Sequence, residues 1–196
     1  MSVSQIMDEI VKDIQFYNMS GGGVTLSGGE PFSHDPDIGE LFIELKAKGI
    51  HVSVETSLHV PWETIEKYLD YADVLLTDLK HIDKEKFAKY TRGDATLVLT
   101  NFRNLDKKGK TFIVRIPVIP RFNFSESELC GIIDFAAGLK NAHEINFIPF
   151  HSLASEKYAM LGKEYVFENQ KNIGRAELNP YVEYAEKKGL SAKIMN

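Results

Sequence analysis

Five stretches carry the residue types that bind and orient a charged ligand: Gly28-Gly29-Glu30, Glu55-Thr56, Asp78-Leu79-Lys80, Arg115 and His151. Adjacent glycines leave the main chain bare, so a ligand can approach closely and its oxygens can meet exposed N–H groups. An acid directly after them is not needed by a simple turn. Arg115 stands in an apolar run with Ile113, Val114, Ile116 and Val118 around it. A guanidinium buried there needs a partner, either a carboxylate or an anionic ligand. Each stretch also has a plain reading. The glycines can serve a tight bend, Asp78 can cap a turn, Glu55 can end a strand in solvent, and His151 can sit on the surface.

Bringing such groups to one edge requires parallel strands, and the chain supplies them. Strands are predicted over 24–27, 51–56, 73–78, 110–119, 143–149 and 192–195, from β-branched and apolar runs. Helices are predicted over 3–18, 37–48, 61–69, 87–90, 97–108, 125–139 and 181–188. The first has Ile6, Ile10, Ile14 and Tyr17 on one face; the second has Ile38, Leu41, Phe42 and Leu45 at helical spacing. Ser125 and Glu128 have the spacing of a capping box. Residues 150–180 read as loop. Strand and helix alternate, and the middle strands are continuously apolar, as in parallel sheets buried on both faces. The expectation is one α/β domain over residues 1–196, either an open doubly wound sheet or part of a barrel. In both, the carboxyl ends of the strands share an edge, which gathers the polar groups.

The totals narrow the partners. The net charge is −5, with 23 basic residues scattered against 28 acidic ones, which argues against nucleic acid. No apolar run approaches the ~18 residues of a membrane span, and no signal peptide opens the chain. A cytoplasmic location without membrane attachment is expected. The single cysteine, Cys130, excludes an intramolecular disulfide and an all-cysteine iron–sulfur cage; it reads as a small core residue. The chain also opens on a helix where a βα unit opens on a strand. On these residues alone a phosphate cradle in an ordinary barrel enzyme remains an alternative.

Gly21-Gly22-Gly23-Val24-Thr25-Leu26-Ser27-Gly28-Gly29-Glu30-Pro31 resembles the signature of the radical S-adenosylmethionine (SAM) superfamily. More narrowly, it is similar to the glycyl-radical-enzyme activases of the pyruvate formate-lyase activating enzyme type. The likeness continues through Asp78-Leu79-Lys80-His81, Arg115-Ile116-Pro117-Val118-Ile119-Pro120, Pro149-Phe150-His151 and residues 157–165. It implies a partial TIM-type (β/α)6 barrel with its site at the carboxyl ends of the strands. It implies that Gly28, Gly29 and Glu30 hold the methionine end of SAM, and that Asp78, Leu79, Lys80, Arg115 and His151 complete the cofactor site. Glu55, Thr56 and Asp78 match positions that bind a monovalent cation in relatives, with Leu58 where a glycine is common. The resemblance further implies a first barrel strand and a Cys-x3-Cys-x2-Cys loop for a [4Fe–4S] cluster ahead of residues 3–18, and this chain carries neither. The implied activity is reductive cleavage of SAM to make a glycyl radical on a partner enzyme, with a small electron-donor protein as second partner. Without the cysteines, this chain alone is expected to be inactive, and the alternative is a non-catalytic module that binds SAM or the partner.

Overall fold

The structure, a computed structural model, describes all residues except 153–157, 159, 161, 163, 166, 168 and 196. Its strands form one six-stranded sheet in chain order, β1 to β6, with β1 and β6 at the edges. The three pairings whose register is defined, β1·β2, β2·β3 and β5·β6, are parallel. This is the open α/β sheet of a partial TIM-type barrel. The chain divides into two compact units.

The first unit comprises Met1–Asp78 and Thr96–Ile113. It opens with α1 (Val3–Ile10) and α2 (Ile14–Ser20), separated by a 3-10 turn at Val11–Asp13, where one continuous helix was expected. The strands β1 (Gly23–Leu26), β2 (His51–Thr56) and β3 (Val74–Asp78) follow, with α3 (Asp37–Ala47) and α4 (Trp62–Glu66) between them. A later helix, α6 (Ala95–Lys107), lies almost entirely in this unit. Val52 and Val54 of β2, Leu75 of β3, Phe42 and Leu45 of α3, and Phe102 and Leu105 of α6 form its buried interior. The expectation of strands buried on both faces does not hold. Burial alternates strictly along β2 and β3, so one face is packed and the other stays half-exposed, as a ligand-bearing face requires.

The outer edge of β1 borders a groove of about 760 Å³ lined by Ile6 and Ile10 of α1 and by Ile38 and Leu41 of α3. Val24, Thr25 and Leu26 all line it, although successive strand residues point to opposite faces. The groove therefore lies in the plane of the sheet, where the edge strand presents its hydrogen-bonding groups.

The second unit comprises Leu79–Ala95 and Val114–Asn196. It holds α5 (Lys84–Thr91), most of β4 (Phe112–Val118), α7 (Glu126–Ala137), β5 (Ala142–Pro149), α8 (Arg175–Lys187) and β6 (Ser191–Ile194). α8 starts at Arg175, inside the stretch expected as loop and six residues before the expected helix start at Tyr181. The helix tolerates Pro180, which removes a single backbone hydrogen bond soon after the first turn, and the Glu177 carboxylate caps the Gly174 N–H at 2.8 Å. The capping box at α7 is absent: Ser125 Oγ donates to the Glu128 carboxylate at 2.7 Å, side chain to side chain.

Candidate functional site

In the first unit the carboxyl ends of β1 and β2 are laced together by side chains. Ser27 Oγ donates to Glu55 Oε2 at 2.7 Å. Thr56 Oγ1 donates to Glu30 Oε1 at 2.7 Å, and Ser57 donates to Glu30 Oε2 through its N–H (2.9 Å) and its hydroxyl (2.7 Å). Glu30 is half-buried, and its carboxylate accepts three bonds, which leaves room for about one more donor. Its first task is thus to hold the end of β2, which the sequence did not reveal.

The glycines before it are exposed. Gly28 has φ +112, a conformation that L side chains rarely adopt, and a Cβ added at either Gly28 or Gly29 would meet nothing within 4 Å. The pair forms a bare ridge beside open space. A ligand's main-chain-like carboxylate and ammonium fit such a ridge, and the methionine end of SAM is such a group.

The candidate cation set does not converge through its side chains. Glu55 and Thr56 are neighbours on β2 and point to opposite faces; one serves Ser27 and the other Glu30. Thr56 Oγ1 also accepts the Leu58 N–H at 3.0 Å. Leu58 does adopt the left-handed conformation expected of a glycine, with φ 56. It is held there by that bond and by Asn101 Nδ2, which donates to the carbonyls of Leu58 (2.9 Å) and Val60 (2.8 Å). Asp78 closes β3 and is half-buried.

In the second unit Leu79 is fully buried, so its side chain packs and cannot touch a ligand; its N–H donates to the Arg115 carbonyl at 2.8 Å. Lys80 follows it, half-buried. Arg115 is itself half-buried, not enclosed, because β4 alternates and sends Val114 and Ile116 to the packed face. His151 is exposed just past β5 and lines a cavity of about 350 Å³ with Pro117, Ile119, Phe150 and Tyr165. Of the stretch 157–165, residues 157, 159, 161 and 163 lie outside the described residues, while the rings of Tyr158 and Tyr165 lie 4.9 Å apart, tilted at 43°.

Three buried polar residues around these loops were given no role by the sequence reading: Asn101, Asn123 and His81. Each sits in an apolar or aromatic setting, where a polar side chain must serve a neighbour. His81 Nδ1 accepts the Asp83 N–H at 2.9 Å, and Nε2 lies 3.5 Å from Glu128 Oε1, which Lys86 also contacts. Burial holds its imidazole below the ordinary 6.5, with Asp83 opposing and Lys86 reinforcing. A base lowered in the folded state binds fewer protons than the unfolded chain, so stability is present at neutral pH and lost as pH falls below 6.5. His81→Asn keeps an acceptor for Asp83 and does not titrate. Urea midpoints should therefore fall between about pH 7.5 and about pH 5.5 in the wild type, and fall less in the variant. Equal drops in the two proteins would refute this role.

The chain matches the radical SAM superfamily model over residues 2–133. The chain belongs to the radical SAM superfamily. It is 35% identical to the (2S)-3-sulfopropanediol dehydratase activating enzyme of Klebsiella oxytoca over 99% of this chain, and spans 63% of that relative's length. It is 32% identical to the pyruvate formate-lyase-activating enzyme of Staphylococcus epidermidis, covering 86% of this chain and 70% of that one. A solved domain of the pyruvate-formate lyase-activating enzyme from Bacteroides vulgatus superposes with a TM-score of 0.74 at 25% identity, over 89% of this chain and 99% of that one.

Radical SAM proteins use SAM and a [4Fe–4S] cluster, and the two groups fare differently here. The Gly28–Gly29 ridge fits the amino-acid end of SAM. The cluster does not fit the residues present. Cys130 is the chain's one cysteine, half-buried on α7, and burial, then Glu126 and Asp134, push its thiol up and away from the thiolate a metal needs. Among the described residues no three His, Cys, Asp or Glu side chains gather as a metal site. No helix among them is long and apolar enough to cross a membrane.

Proposed function

We propose that this chain is the SAM-binding and partner-facing portion of a glycyl-radical-enzyme activase. The bare Gly28–Gly29 ridge carries the reading, with Glu30 fixed beside it by Thr56 and Ser57. Relatives named as activating enzymes support it. In the whole protein the proposed activity is generation of a glycyl radical on a partner enzyme from SAM, in the cytoplasm, with a small protein as electron donor. The hard chemistry belongs to the cofactors, and these residues bind and orient. The glycine N–H groups meet the SAM carboxylate, and the remaining acceptor site of Glu30 meets its ammonium. Asp78, Lys80, Arg115 and His151 are assigned to the remainder of the cofactor. Leu79, being buried, supports them by packing.

The lone cysteine favours a second reading in which the chain is a SAM- or partner-binding module with no turnover of its own. Both readings share the same assigned residues. Calorimetric titration with SAM should give saturable binding, weakened about tenfold or more by Gly29→Val and by Asp78→Ala. No binding, or binding indifferent to both substitutions, would overturn the site. Anaerobic supply of iron and sulfide should give no stoichiometric cluster; uptake together with SAM cleavage would reject the portion assigned to this chain.

A further inference from the structure

Lys80 follows Leu79, which in the second unit bonds to Arg115 of β4. Leu79 N–H donates to the Arg115 carbonyl at 2.8 Å. The next donor on β4 in a parallel ladder would be residue 117, and Pro117 has no N–H to give. Both chain segments would be free to splay beyond it. Asn123, in the loop between β4 and α7, fills the gap. It is fully buried. Its Nδ2 donates to the Lys80 carbonyl and to the Pro117 carbonyl, each at 2.8 Å, and its Oδ1 accepts the Ile119 N–H at 2.8 Å. One side chain thereby ties the Lys80 and Pro117 segments together where the proline supplies no N–H.

His81 braces the same segment from the other side through Asp83. A short stretch carrying one cationic residue is thus pinned at Lys80 and again at Asp83. An apolar residue in place of Asn123 would leave the Lys80 and Pro117 carbonyls and the Ile119 N–H without this partner.

We infer that Asn123 is the positioning residue for Lys80, fixing its main chain against the end of β4 so that its ammonium is presented in one place to the ligand. This rests on the proposed assignment of Lys80 to the SAM site. Asn123 does not itself touch the ligand; it acts through Lys80.

The test has two arms on the full chain. Hydrogen exchange read by mass spectrometry should show faster exchange over residues 79–83 in Asn123→Ala than in the wild type. Asn123→Ser serves if the alanine variant does not fold. SAM titration should show affinity about tenfold weaker in Asn123→Ala. In a Lys80→Ala background the same substitution should change affinity by no more than about twofold, because the residue it positions is gone. A merely structural asparagine would weaken binding equally in both backgrounds, and Leu178→Ala, a truncation of a buried leucine on α8, supplies that comparison. Unchanged exchange over residues 79–83, or additive losses, would overturn the positioning role. If Lys80→Ala binds SAM as tightly as the wild type, the Lys80 assignment fails instead, and the exchange arm still decides whether Asn123 orders the segment.

Discussion

Replacing Gly23 by alanine is expected to destabilise the chain by at least about 3 kcal/mol. The added Cβ would lie 1.9 Å from the His51 carbonyl oxygen, 2.7 Å from its carbon and 2.9 Å from the His51 Cβ. These are largely main-chain atoms, and Gly23 is paired with His51 in the β1·β2 register, so no flexible tip can swing away. The strand would have to give up the first step of its pairing. Gly28→Ala should cost less, about 1–3 kcal/mol, because its obstacle is φ +112 and not a neighbour. Gly29→Val should stay within about 0.5 kcal/mol, since space at Gly29 is open. Urea unfolding with unchanged m-values orders the three. A Gly23→Ala protein within about 1 kcal/mol of the wild type would show that β1 gives up that step readily.

The three glycines look alike in the sequence, and that marks where reading by residue type runs out. Their position around an apolar run marked the candidate site, because a strand followed by bare backbone and an acid is a local pattern. Their separate roles depend on His51, on a dihedral angle and on empty space, none of which is local. The six strands were legible from apolar and β-branched runs, and so was the end of α8, whereas its first turns were not, since a proline inside a helix is tolerated only by its context. The pins of the site were the least visible. Glu30 meets residues 26 and 27 positions away, and Asn101 reaches 43 positions back to Leu58. A buried asparagine in an apolar helix, or one between Phe122 and Phe124, is the signal that could have raised them. Leu58 shows the converse. It departs from the family's glycine, yet it takes the glycine's conformation because Thr56 and Asn101 hold both of its main-chain polar groups.

Glu30→Ala is the substitution with the largest expected effect on stability and ligand together. It leaves the Thr56 hydroxyl and both Ser57 donors without their acceptor. Bonds to a charged acceptor contribute roughly 1.5–3 kcal/mol each, but this site is half-buried and water can replace part of the loss. A net loss of about 2–3 kcal/mol is expected. Glu30→Gln separates the two roles of the acid. Its Oε1 can take both Ser57 donors, and its amide can donate to Thr56 Oγ1, which has a lone pair left beside the one serving Leu58. The Thr56 hydroxyl proton then lacks a partner, so a cost of about 1 kcal/mol remains. What glutamine cannot supply is the negative charge. If the last acceptor site of Glu30 receives the SAM ammonium, affinity should fall about tenfold or more in Glu30→Gln while the fold is nearly intact. Affinity that instead tracks stability, lost in the alanine variant and retained in the glutamine one, would assign Glu30 to the β1–β2 junction alone and leave the ligand to the glycine ridge.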